Sequence, residues 1–241
     1  MRRMAAMVWM CAATVVGTPG AAAECASLVS PDKPPRLTEA SVPAAVVTGW
    51  EPGVFFIKDR SERAGCPSDA PECQAATAVA PGEAVLLNGL AVGGYACATY
   101  SDSEGTLATG WLPLPRLALI SSSVPGPQDW EGDWTAPEKA IRIALTAAGD
   151  LALDGSATWG AADPEQVMRG SVHVGAFKVR LQPEGAVLGF TRGPDGTLPY
   201  DAGEPSDCRM QLARRGPYLV AVDDGACGEA HVTFTGVYRR E

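Results

Sequence analysis

Along this chain the apolar residues come in short runs broken by Gly, Pro, Asp and Ser, and no long stretch keeps the spacing of an amphipathic helix. In the first half the runs at 53–58, 83–87, 94–100 and 106–111 predict strands. Between them, residues 60–72 are polar, hold Pro67 and Pro71, and read as a long loop. In the second half the runs at 132–135, 140–146, 150–159, 171–181, 186–191, 207–213, 218–222 and 230–240 predict strands. Ile141, Ile143 and Leu145 share one face with Arg142 opposite, and Val232, Phe234 and Tyr238 share a face in the last run. The string SSSVPGPQ, from Ser121 to Gln128, is small and turn-forming and has no apolar period. It predicts two all-β domains, residues 24–123 and 130–241, joined by a linker at 124–129. Short connections suit an eight-stranded antiparallel meander in the second domain, and closing it into a barrel removes the exposed edges.

The first twenty-three residues depart from this pattern. Arg2 and Arg3 precede a mostly apolar stretch, and Ala21, Ala22 and Ala23 offer small residues to a signal peptidase. The expectation is a secretory signal cleaved after Ala23, its apolar core too short to span a membrane. Glu24 before Cys25 does not suit lipidation, so the chain is expected in the periplasm or outside the cell without a membrane anchor. The chain has 19 Lys+Arg against 28 Asp+Glu and a net charge of −9. Loss of Arg2 and Arg3 with the signal makes that about −11. Such a surface repels nucleic acid and anionic headgroups, and would attract a basic partner.

Export also changes the reading of the cysteines. Cys11 leaves with the signal, and Cys25, Cys66, Cys73, Cys97, Cys208 and Cys227 remain for disulfides. The domain division pairs Cys208 with Cys227 and leaves three pairings open among the other four. Zinc is not expected, because no Cys-x2-Cys pair exists and neither His173 nor His231 lies near a cysteine cluster in the sequence.

The segments AVAPGEAVLL and GGYACATYSDSEGTLATGWLPLPRL, ending in Gly110-Trp111-Leu112-Pro113, resemble a bacterial SH3-like domain over about Val54 to Leu119. Gly132-x-Trp134 on the first strand of the second half, with Arg239-Arg240 on the last, resembles the ends of lipocalin- and avidin-like barrels. In those folds the tryptophan plugs one end and a basic side chain covers it, which assigns the plug here to Trp134 and Arg240. The tail from Gly216 to Arg240 is also similar to the C-terminal β domain of uncharacterised exported bacterial proteins.

The SH3-like resemblance implies an aromatic groove for cell-wall or protein peptide, with Trp50, Tyr95, Tyr100 and Trp111 as its candidates. In the barrel, Trp130 and Trp159 are candidates to face a small-ligand cavity, although side chains are expected to fill so small an interior. His173 and His231 lack a nucleophile at a telling spacing. Most of Asp163, Glu165, Asp195, Asp201, Glu204, Asp223 and Asp224 lie in turns that such residues cap, and neither Asp195 nor Asp223-Asp224 has the spacing of a calcium loop. No catalytic residue, metal or cofactor is therefore expected. The reading is a non-enzymatic envelope protein that binds peptidoglycan or protein peptide. The alternatives are an acidic inhibitor of a basic wall hydrolase of the lysozyme type, a small-ligand barrel, and an enzyme.

Overall fold

The computed structural model describes residues 24–29, 35–50, 53–121 and 123–241. The expected signal and its cleavage site lie outside these residues. The fold is all-β, with two antiparallel sheets, one a half-barrel and the other a nearly closed barrel.

The first sheet has seven strands: β1 (Ala44–Val47), β2 (Val54–Ile57), β3 (Gln74–Val79), β4 (Ala84–Val92), β5 (Tyr95–Ser101), β6 (Leu107–Pro113) and β7 (Leu117–Leu119). Their spatial order is β3-β2-β6-β5-β4-β1-β7. Three of these, β1, β3 and β7, escaped the sequence pattern. β1 and β7 are short, and β3 is Gln74-Ala-Ala-Thr-Ala-Val79, too small and polar for a strand signal. Val47, Val54, Phe56, Val85 and Leu112 form the core of the half-barrel.

Residues 60–72 are indeed without strand, and their end is fastened by the Cys66–Cys73 disulfide. A second disulfide, Cys25–Cys97, ties the start of the described chain to β5. Beneath them Asp59 accepts hydrogen bonds from the Cys25 amide at 2.6 Å and the Trp111 indole at 3.0 Å. These bonds outweigh the burial that would raise the Asp59 pKa, and hold it below the usual carboxylate range.

The second sheet has nine strands, not eight: β8 (Gly132–Ala136), β9 (Lys139–Leu145), β10 (Leu151–Trp159), β11 (His173–Leu181), β12 (Val187–Gly193), β13 (Gly196–Pro199), β14 (Cys208–Arg215), β15 (Tyr218–Asp223) and β16 (Gly236–Arg240). The extra strand, β13, folds back on β12 through a tight turn and is mostly exposed, so burial left no apolar signature on it. The expected last strand begins only at Gly236. Val232 and Phe234 still reach the core, from a loop. First and last strands pair, Trp134 with Arg240, and the seam of the barrel falls between β11 and the β12–β13 hairpin.

Two short helices were also unforeseen. α1 (Pro127–Trp130) begins inside the expected linker, and α2 (Pro164–Arg169) lies between β10 and β11. Proline at the first turn and the Asp129 and Asp163 side chains start them locally. The third disulfide is Cys208–Cys227, at the end of the barrel opposite α1.

The two sheets share a core. Leu28, Leu37, Val42 and Leu86 pack against Tyr218, Val220, Val222 and Val237 on the outer wall of the barrel. The Tyr218 hydroxyl donates to the Ala84 carbonyl at 2.6 Å, and Arg215 donates to the Ser41 and Thr38 carbonyls.

Candidate functional site

The exposed chemistry of the first half gathers beside β2. In Val54-Phe-Phe-Ile57 the alternation of a strand sends Phe56 into the core and Phe55 out to solvent. A register shift between Phe55 and Ile57, against β3, opens the sheet there. The result is a groove of about 230 Å³. Phe55 and Pro113 supply apolar walls, Asp69 a carboxylate, Arg116 a guanidinium and Gln74 an amide.

The polar groups are held in place. Asp69 accepts a hydrogen bond from the Tyr95 hydroxyl, and this bond, with burial of the phenol, pushes the Tyr95 pKa up to about 12. Arg116 donates through Nε to the Thr48 carbonyl at 2.8 Å. Its guanidinium lies against Gly49, where a Cβ would collide with it and where φ is +124°. Among the described residues neither Asp69 nor Arg116 is in an ion pair. Trp50, 85% exposed, does not line the groove itself; its carbonyl accepts from the amide of Gly53, which does.

Three of the six aromatic ligand-site candidates, Trp111, Trp130 and Tyr95, are corrected: each is buried in a core. Trp111 is 1% exposed, its ring in the core and its nitrogen bound to Asp59. Trp130 is fully buried in the barrel core, where α1 carries it. An indole is the largest apolar body the chain can bury, so a small core claims it first. Tyr95 is mostly buried and reaches the groove only through Asp69. Tyr100 is half-buried near Glu83 and Arg239, away from the groove. Burial and the Glu83 charge raise its pKa. Phe55, Asp69 and Arg116 were missed. Two adjacent phenylalanines in a strand were the available signal, since one must face out.

The barrel encloses side chains. Phe177, Phe190 and Phe234 stack at centroid distances of 5.4 and 4.9 Å, and the Phe177 ring occupies the space where Gly155 lacks a Cβ. At one end Trp134 donates to the Trp130 carbonyl at 3.1 Å, with Arg214 and Arg240 over its ring at 4.7 and 4.9 Å. Gly132, with φ at +140°, makes the room Arg240 needs.

At the other end the two histidines meet. Trp159 lies 5.5 Å from His173 and 4.7 Å from His231, and Glu229 reaches His173 at 3.9 Å. Sequence distance hid this group. Among the described residues no cluster of three or more His, Cys, Asp or Glu is arranged to hold a metal ion. No described helix is long and apolar enough to cross a membrane. No protein family, no curated protein and no solved structure matches this chain.

Proposed function

We propose that this chain is a non-enzymatic, exported binding protein of the cell envelope, and that its N-terminal half takes an extended peptide of the wall or of an envelope protein. One observation carries the reading: the groove beside β2, where exposed Phe55 stands with the fixed charges of Asp69 and Arg116, with exposed Trp50 three residues before Gly53 of its lining. Aromatic walls with a few placed polar groups are how a peptide groove gains both contact area and direction. β3, whose Gln74 lines the groove, is an edge strand of the sheet, unpaired among the described residues on the side away from β2. The SH3-like order of the first-half motifs, the signal-like start and three disulfides support the same reading. The filled barrel interior disfavours a small-ligand carrier.

The test is co-sedimentation of residues 24–241 with purified peptidoglycan sacculi at low and high salt. Salt-resistant pelleting that is lost in a Trp50→Ala, Phe55→Ala double variant is expected. No pelleting at either salt concentration sinks the wall-peptide reading.

A second reading has its own observation. The disulfide-bearing end of the barrel displays exposed Asp163, Asp195 and Asp224, beside Glu165 paired with Arg169 and Glu229 with His173, which suits capture of a basic wall hydrolase. Inhibition of such a hydrolase that fades with salt and survives the groove variant would favour it.

A further inference from the structure

We infer that the groove beside β2 recognises a dipolar amino-acid head, an ammonium and a carboxylate on one carbon, and this rests on the peptide-groove reading above. The argument begins with size. A cavity of about 230 Å³ takes one amino-acid end rather than a folded surface. Its lining then sets the charge. Asp69 and Arg116 both face this small space, and among the described residues neither is neutralised by an ion pair. A simple cation would be drawn by Asp69 and repelled by Arg116, and a simple anion the reverse. A group that carries both charges satisfies both walls.

The two charges are also anchored before any ligand arrives. The Tyr95 hydroxyl holds one oxygen of Asp69, and the Thr48 carbonyl holds Arg116 through Nε; one terminal nitrogen packs on Gly49, and among the described residues neither terminal nitrogen has a hydrogen-bond partner. Anchoring lowers the ordering cost of binding. Phe55 and Pro113 give the carbon chain behind the head an apolar wall, and the Gln74 amide gives it a neutral hydrogen-bonding partner. Two sources share this chemistry: the free end of a diamino acid within a wall peptide, and a free amino acid.

The experiment is calorimetric titration of residues 24–241 with three probes of similar length: diaminopimelate, cadaverine with ammonium ends only, and pimelate with carboxylate ends only. Diaminopimelate is expected to bind at least tenfold more tightly than either. Asp69→Asn keeps an acceptor for Tyr95 and should cost that probe about tenfold while improving pimelate. Arg116→Gln should cost it similarly while improving cadaverine. Arg142→Ala, on the outer face of the barrel, should change nothing.

Equal or absent binding of the three probes overturns the inference, as does indifference to both groove variants. A wall tripeptide ending in diaminopimelate, titrated against L-alanine, separates the two sources by which binds tighter. Sacculus pelleting that needs Trp50 and Phe55 but tolerates both charge variants leaves the peptide groove standing and removes the dipolar head. Diaminopimelate binding without pelleting does the reverse.

Discussion

Tyr95 shows how one hydrogen bond serves both the groove and the stability of the fold. Its hydroxyl fixes Asp69, and the same bond keeps the phenol neutral up to about pH 12. Burial pushes Tyr218 up to about 12 as well, and Tyr238, enclosed in the barrel, well above its ordinary value. A phenol raised in the folded state contributes stability that is whole below the unfolded pKa of about 10 and is lost as pH rises through the folded value. The urea midpoint is therefore expected to hold steady to about pH 10 and to fall between 10 and 12. Tyrosinate absorbance should rise with that unfolding, and a Tyr95→Phe, Tyr218→Phe double variant should soften the pH dependence. A midpoint that falls well below pH 10 would assign the loss to other groups. Phe55 could have been read at this scale from alternation alone. Asp69 and Arg116 could not, because their partners Tyr95 and Thr48 are remote in the chain.

Among the elements, the disulfides do unequal work. Cys25–Cys97 spans a separation of 72 residues, Cys208–Cys227 one of 19 and Cys66–Cys73 one of 7. On the chain-entropy estimate these loops contribute about 4, about 3 and about 2.5 kcal/mol. Paired Cys→Ala variants should therefore lose stability in that order in denaturant titrations. A larger loss for the Cys66–Cys73 pair would show that it holds local structure beyond its loop entropy. The plug at the α1 end of the barrel is a second element-scale device. Gly132, Trp134 and Arg240 come from the first and last strands of the barrel, so the stack forms only once β8 and β16 pair. Arg240→Ala should cost about 1–2 kcal/mol, mostly through lost cover of the indole. The placing of Arg240 over Trp134 was an expectation from the resemblance to lipocalin- and avidin-like barrels. The second cover, Arg214, was not, because it arrives from β14.

For the whole molecule, the shared core between the two sheets matters most. The stretch before β1, which fell outside every strand pattern, is the joint. Leu37 donates its amide to Gln211 at 3.0 Å, and Arg215 reaches back to Thr38 and Ser41. Tyr218, Val220 and Val222 alternate with barrel-facing neighbours, but their outward faces meet Leu86 and Val42 rather than water. β15 is buried on both sides for that reason. The halves are expected to unfold together, as one calorimetric transition for residues 24–241. Residues 130–241 alone should expose an apolar wall and self-associate. Tyr218→Phe should cost about 1–2 kcal/mol by leaving the Ala84 carbonyl unpaired. Two separate transitions in the intact chain would overturn this account.

What the sequence determined by itself is what depends on neighbours along the chain. The all-β class follows from short apolar runs, and the polar loop at 60–72 and the capped turns follow from Pro, Gly and Asp. The Cys208–Cys227 pair followed from the division of the chain. Tertiary structure decided everything that needed distant residues to meet. It buried Trp111, a candidate for the groove, and Trp130, a candidate for the barrel cavity. It paired Cys25 with Cys97, brought His173 to His231, and set Asp69 and Arg116 on the lining of one groove. The physical reason is that a side chain's type states what it can bind, while burial and opposing charge depend on which strands close upon one another.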